Sequence, residues 1–188
     1  APNYVLALNH ASGVMIGSGN GAVALRLIER TERLVPDYWE TEYLKGVIAL
    51  MARESSSATD FLLAADQRFP DSRSHVLGIL AQAAFESGRV ELAADVIDRA
   101  VAADGGSAWY WMLSGEIHGA RGDLEESRIS YERSLDLYAI DESKSGASPY
   151  QIVTLNARLG QLYADRNEIG RAIQFFYDAT SDYADLLP

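Results

Sequence analysis

Cysteine is absent from the 188 residues. That excludes disulfides, thiolate metal ligands and cysteine nucleophiles, and it leaves the redox compartment open. Basic residues are sparse: 16 Lys and Arg stand against 27 Asp and Glu, for a formal charge of -11. A chain so acidic is a poor match for a nucleic-acid backbone or an anionic membrane surface, because both reward Lys and Arg. No apolar run approaches the roughly 20 residues that span a bilayer; the stretches 46–52 and 108–113 are far shorter. No Asn-x-Ser/Thr sequon occurs, and no secretory n-region and h-region opens the chain. The start at Ala1-Pro2-Asn3 is compatible with a leader already removed. What remains, 48% apolar and 23% charged, is the balance of a soluble globular protein, long enough for one ordinary domain or a short solenoid.

What is present is periodic. Gly88 and Gly122 stand 34 residues apart, and their surroundings correspond. Leu80, Ala81 and Ala84 precede Gly88, and Ala93, Ile97 and Ala100 follow it; the same offsets from Gly122 give Ser114, Gly115, His118, then Ser127, Tyr131 and Ser134. A third copy is centred on Asn167, with Leu159, Gly160 and Tyr163 before it and Ala172, Phe176 and Ala179 after it. Small residues at Gly115, Gly160, Ala93, Ala100, Ala172 and Ala179 let two antiparallel helices approach closely, and Ile97, Tyr131, Tyr163 and Phe176 fill the gaps between them. Turn signals lie where hairpins must reverse, at 87–88, 104–106, 121–123 and 165–167. Asp123 with Glu126 reads as a capping box, Asn167 as an N-cap, and Ser148-Pro149 as an N-cap with a first-turn proline. No segment sustains the alternation of a strand. The chain reads as all-helical.

These positions resemble the tetratricopeptide repeat, whose motif carries Leu-Gly, Tyr, a turn Gly, then Ala, an aromatic, Ala and Pro. Two weaker copies lie upstream, one with Gly46, Ala49, Ala58, Leu62, Ala65 and Pro70, the other with Met15, Gly19, Ala24, Ile28, Thr31 and Pro36. The resemblance places repeats at 39–72, 74–107, 108–141 and 153–186, with a degenerate copy at 3–38 and an insertion loop at 142–152. It implies an all-α fold, a single right-handed α-solenoid of about four to five antiparallel hairpins over residues 1–188, and a non-enzymatic protein–protein adaptor needing no cofactor and no metal.

An enzyme-like alternative exists at Gly17-Ser-Gly19-Asn-Gly21-Ala22, a G-x-G-x-x-A sequence with Asp37 downstream where a ribose ligand would lie. That motif requires a preceding strand and a parallel sheet, whereas hairpins surround it here and its glycines fall where a hairpin turn is needed. His10, His75 and His118 form no metal spacing, and His118 stands in the slot of Tyr163, as a helix-packing residue with a satisfied ring nitrogen.

In the family, the first helix of each repeat lines a concave groove. Carried across, the groove residues are Tyr43, Val47 and Met51, then Gln82 and Phe85, then Trp109, Met112 and Glu116, and finally Gln161. The Lys, Asn and Arg of the family's carboxylate clamp are missing, and Tyr43, Gly78, Ile79, Met112 and Leu113 stand in such places. A partly apolar groove suits a peptide or amphipathic helix better than an acidic tail. Trp109 is the strongest candidate, since Trp111 already fills the core tryptophan slot. Phe175 and Tyr177 at the last helix suggest an alternative role, a self-associating scaffold with homo-oligomeric contacts, or a terminal face covered by a further helix. Composition gives a weak bacterial impression and does not separate cytoplasm from periplasm.

Overall fold

A computed structural model describes residues 2–69, 74–140 and 149–184, and all regular structure among them is helical. The helices follow one another as α1 (Pro2–Gly17), α2 (Gly21–Leu34), α3 (Trp39–Met51), α4 (Ser55–Arg68), α5 (Ser74–Glu86), α6 (Val90–Ala103), α7 (Ala108–Arg121), α8 (Leu124–Ile140), α9 (Pro149–Asp165) and α10 (Ile169–Ala184). Helix α9 begins at Pro149, so residues 149–152, expected in the insertion, form its first turn. A proline suits that position because its missing N–H has no intrahelical partner there. The rest of the expected insertion, with Ser148, lies outside the described residues.

One turn recurs in all five odd-to-even helix connections. It places a residue in the left-handed region: Gly19 (φ 76°), Arg53 (φ 64°), Gly88 (φ 80°), Gly122 (φ 93°) and Asn167 (φ 60°). The next amide then donates to the carbonyl five residues back: Asn20 to Met15 at 2.7 Å, Glu54 to Ala49 at 2.9 Å, Arg89 to Ala84 at 2.8 Å, Asp123 to His118 at 2.9 Å and Glu168 to Tyr163 at 2.9 Å. This is the six-to-one closure that satisfies a helix's last carbonyls. Asn167 therefore serves as the left-handed turn residue rather than the expected N-cap. Its short polar side chain tolerates that conformation, and the Glu168 carbonyl accepts the first α10 bond, from Ala172 at 3.1 Å.

The same geometry removes the structural basis of the dinucleotide reading. Gly17 is the last residue of helix α1, Gly19 is the left-handed turn residue and Gly21 opens α2. A helix, not a strand, precedes the loop.

The helices divide into two compact units, Ala1–Val96 and Ile97–Pro188, with the boundary inside α6. In the first unit, Ile16, Ala24, Ile28 and Leu44 form a core joining α1, α2 and α3, with Met15, Tyr43, Val47 and Ile48 against it. Helices α3 and α4 approach so closely at Gly46 that a Cβ there would come within 2.5 Å of Leu62 Cγ. Their far ends are tied to neighbours by polar contacts: Arg68 pairs with Glu42 at 2.8 Å and with Asp37 at 2.9 Å, and Arg89 pairs with Asp60 at 2.8 Å.

In the second unit, Tyr131, Tyr138, Leu155, Leu159, Leu162, Tyr163 and Ala172 form the core, with Met112, Leu135, Ile152 and Phe175 against it. Buried serines are satisfied across the α7–α8 interface. Ser127 donates to the Gly115 carbonyl at 2.7 Å, Ser134 to the Ala108 carbonyl at 2.8 Å, and the Ser114 and Ser130 hydroxyls share a bond of 3.1 Å. Small hydroxyls thus permit close helix approach without leaving a buried polar group unpaired.

Candidate functional site

In the first unit an open cleft of about 400 Å³ lies over the face of α3. Helix α1 contributes Leu6, Asn9, His10, Gly13 and Val14, helix α3 contributes Trp39, Glu40, Tyr43 and Leu44, and His75 enters from the start of α5. The aromatic walls are held by other rings. Trp39 stacks on Phe69 at 5.0 Å between centroids, and Tyr43 meets His75 edge-on at 5.5 Å. The polar element is a pair: Asn9 Nδ2 donates to Glu40 Oε2 at 2.7 Å. Asn9 is only 6% exposed, and its Oδ1 has no hydrogen-bond partner. Burial, together with the negative charge of the nearby Glu40 carboxylate, pushes the Tyr38 phenol up from its ordinary value.

Tyr43, Val47 and Met51 share helix α3, but the structure separates their surroundings. Tyr43 stands in the wall of the large cleft. Val47 is half-buried against the Ile16–Ile28 core. Met51 is 59% exposed and lines a different, smaller cleft with Ile16, Gly19, Gly21, Ile48 and Ala52. On α5, Phe85 is half-buried, and Gln82 is half-buried with its Nε2 donating to Glu86 Oε1 at 2.9 Å, one turn on.

In the second unit, α7 presents Trp109, half-buried and tilted against Tyr110 at 5.3 Å between centroids. Trp111 has a structural bond that Trp109 lacks: its indole Nε1 donates to the Gly105 carbonyl at 2.9 Å. Met112 is partly buried and packs against the Tyr131–Leu155 core. Glu116 is half-buried; burial pushes its carboxyl up from the ordinary value, and the Arg158 guanidinium of α9 pulls it back. The phenol of Tyr131 is pushed up to about 12 by burial, with Glu116 adding to the effect. Gln161 is exposed, and its Nε2 donates to Asp165 Oδ1 at 2.8 Å.

Adjacent aromatics of α10 have different environments. Phe175 stacks on Tyr163 at 5.4 Å with nearly parallel planes, so its ring is half-buried within the unit rather than on a free face. Tyr177 is 67% exposed, beside the exposed Ile169, Ile173 and Phe176. His118 is buried with Nε2 3.2 Å from Asp98 Oδ1; its Nδ1 lies 3.7 Å from Asp123 Oδ2 and has no hydrogen bond. One ring nitrogen is satisfied and the other is not. Among the described residues no three His, Asp or Glu side chains come together in a way that could hold a metal ion, and no helix is long and apolar enough to cross a membrane.

The α1 residues of the large cleft escape sequence reasoning. Helix α1 belongs to the most degenerate repeat, and Asn9 acquires meaning only beside Glu40, 31 residues away. The available signal is an amide placed among the apolar residues of α1.

Comparison with known proteins agrees with this architecture. Residues 79–142 match the model of the tetratricopeptide repeat. No curated protein matches the chain by sequence. Among solved structures, MamA from Desulfovibrio magneticus RS-1, residue 41 to its end, is similar at a TM-score of 0.81 with 16% identity, over 97% of this chain and 96% of that one. YrrB, described as a tetratricopeptide-repeat protein with an unusual peptide-binding site, is similar at 0.78 with 15% identity, over 95% and 86%. PilF of Pseudomonas aeruginosa is similar at 0.76 with 14% identity, over 96% and 77%. These likenesses establish the fold as an all-α solenoid of helical hairpins. Residues 79–142 thus match the tetratricopeptide repeat, and nearly the whole chain shares the fold of these helical-hairpin solenoids.

Proposed function

We propose that the chain is a non-enzymatic adaptor that holds a peptide or an amphipathic helix against the first helices of its hairpins. The observation that carries this reading is the open cleft over Tyr43, walled by aromatic side chains whose planes are fixed by neighbouring rings. Rigid aromatics around an open apolar cleft suit side-chain capture, since little conformational freedom is lost on binding. On α7, Trp109 and Met112 offer the adaptable aromatic and thioether surface favoured at interface cores. The fold supports the reading by analogy, because YrrB, which shares it, is described as having a peptide-binding site.

The test is affinity capture from source-cell lysate with the wild type, a Trp109→Glu/Met112→Glu variant and a Tyr43→Glu variant, each checked for helicity. Proteins held by the wild type and lost from a helical variant identify partner and surface together. Identical lists from all three proteins end the adaptor reading for these helices.

A second reading is favoured by α10, where Ile169, Ile173, Phe176 and Tyr177 are 40–67% exposed. An apolar helix face of this kind suits self-association into a scaffold. Light scattering over a wide concentration range decides it: a mass that stays that of one chain rules the scaffold out.

A further inference from the structure

We infer that the cleft between α1, α3 and α5 is a receptor for a single basic side chain, a lysine or arginine of the bound peptide. The inference rests on the adaptor reading above and names the chemistry of its ligand.

Three features converge. The first is charge. Glu40 is half-buried at the cleft, and the Asn9 amide that donates to it is neutral. That amide does not supply the positive charge that a partly desolvated carboxylate calls for. The second is an orphaned acceptor. Asn9 is buried, spends its N–H on Glu40 and leaves Oδ1 without a partner. A buried acceptor without a donor is costly, and an ammonium with three N–H groups or a guanidinium with five brings surplus donors. The third is the wall. Trp39 and Tyr43 line the same cleft, and aromatic faces attract a cation that has entered a partly dehydrated space.

Other occupants fit less well. An aliphatic side chain would cover Glu40 and Asn9 without satisfying either. An acidic one would meet Glu40 within a chain of net charge -11. A lysine or arginine stem passes the apolar rim at Leu6 and Val14 and delivers its charge to the carboxylate.

The experiment is NMR titration of the full chain with two blocked tripeptides, Ac-Ala-Lys-Ala-NH2 and the same peptide with norleucine in place of lysine. The observed signals are the Asn9 side-chain amide and the Trp39 indole N–H. The lysine peptide should shift both saturably at millimolar concentration, and the norleucine peptide should not. Glu40→Gln should weaken the lysine peptide roughly tenfold, the loss expected of one contact to a charged group. Tyr43→Leu keeps the carboxylate and removes one aromatic wall, so it should also weaken binding. If Glu40→Gln fails to fold, Tyr43→Leu and the norleucine comparison decide the matter.

Equal binding of the two peptides, unchanged affinity in Glu40→Gln, or no shift at all overturns the basic-side-chain site. Its failure is separable from that of the adaptor reading. Partners still lost from Trp109→Glu/Met112→Glu, with silent tripeptides, leave the adaptor standing and remove only this site.

Discussion

Gly115 lies beneath the ring of Tyr131, so close that a Cβ on Gly115 would come within 2.5 Å of Tyr131 Cδ1. The ring is 95% buried, and the Ser127 hydroxyl anchors the adjoining backbone by donating to the Gly115 carbonyl. Nothing at this contact is the free end of a flexible chain. Gly115→Ala should therefore destabilise the protein by about 1–3 kcal/mol, the usual cost of forcing a methyl group into a filled core. Urea denaturation measures it. In a Tyr131→Val background the same substitution should cost much less, because the two residues share one contact.

Gly160 repeats this arrangement under Phe176, where a Cβ would meet Cδ1 and Cε1 at 2.8 Å. Both pairs are legible in the sequence because a small residue and an aromatic recur at the same offsets from the turn. What was not legible has a physical reason in each case. Phe175 and Phe176 are neighbours, and composition alone does not fix which ring turns toward Tyr163 and which toward Gly160. Tyr43 and Met51 share a helix yet open onto different clefts, because they stand about two turns apart and Tyr43 meets the stretch of α1 from Leu6 to Val14 whereas Met51 meets Ile16 and the turn at Gly19. The α1 wall of the larger cleft is a tertiary feature, created when Asn9 meets Glu40. Repeat spacing predicts the turn positions well, but the left-handed conformation extends beyond glycine to Arg53 and Asn167.

Arg53 carries strain that a substitution can relieve. It is exposed, and it adopts φ 64° in the turn where three of the equivalent positions hold glycine. Arg53→Gly should stabilise the protein by roughly 0.5–1 kcal/mol, the strain relieved less the extra entropy of glycine in the unfolded chain. The converse, Gly122→Arg at φ 93°, should destabilise it. Chemical denaturation of both variants checks the pair, and a loss of stability in Arg53→Gly would mean that the arginine side chain has a compensating role.

Glu125 predicts a weakness in acid. Arg128 and Arg166 hold its carboxyl at about 2, below the ordinary 4.5, and link α8 to the α9–α10 turn. A depressed carboxylate stabilises the fold above its unfolded value and loses that contribution as pH falls through its folded value. The melting-temperature difference between wild type and Glu125→Gln should therefore be level above pH 4.5 and close between 4.5 and about 2. High salt should shrink the difference at neutral pH, since the carboxylate is exposed.

Glu116 predicts the opposite sign. Burial raises its carboxyl above the ordinary 4.5, against the pull of Arg158. A raised carboxyl favours the folded state in its protonated form, and that contribution is lost as pH rises through the folded value. Glu116→Gln should thus raise the melting temperature at neutral pH, with the gain fading as the medium is acidified and wild-type Glu116 takes up its proton. If Glu116→Gln lowers stability at neutral pH, the Arg158 attraction outweighs burial.

The two neighbouring tryptophans of α7 separate stability from binding. Trp111 joins the helix to the preceding turn through its bond to the Gly105 carbonyl, whereas Trp109 is half-buried against Tyr110 and its indole makes no such bond. Trp111→Phe should cost about 1 kcal/mol of stability for the lost hydrogen bond and leave affinity for a captured partner intact. Trp109→Ala should weaken that partner by roughly 2 kcal/mol or more, as an anchoring aromatic does, with a small change in melting temperature. Calorimetric titration and thermal melts of both variants fill the four cells of this comparison. If Trp109→Ala lowers stability sharply while affinity holds, its ring belongs to the core of the second unit and the α7 surface is not where the partner lies.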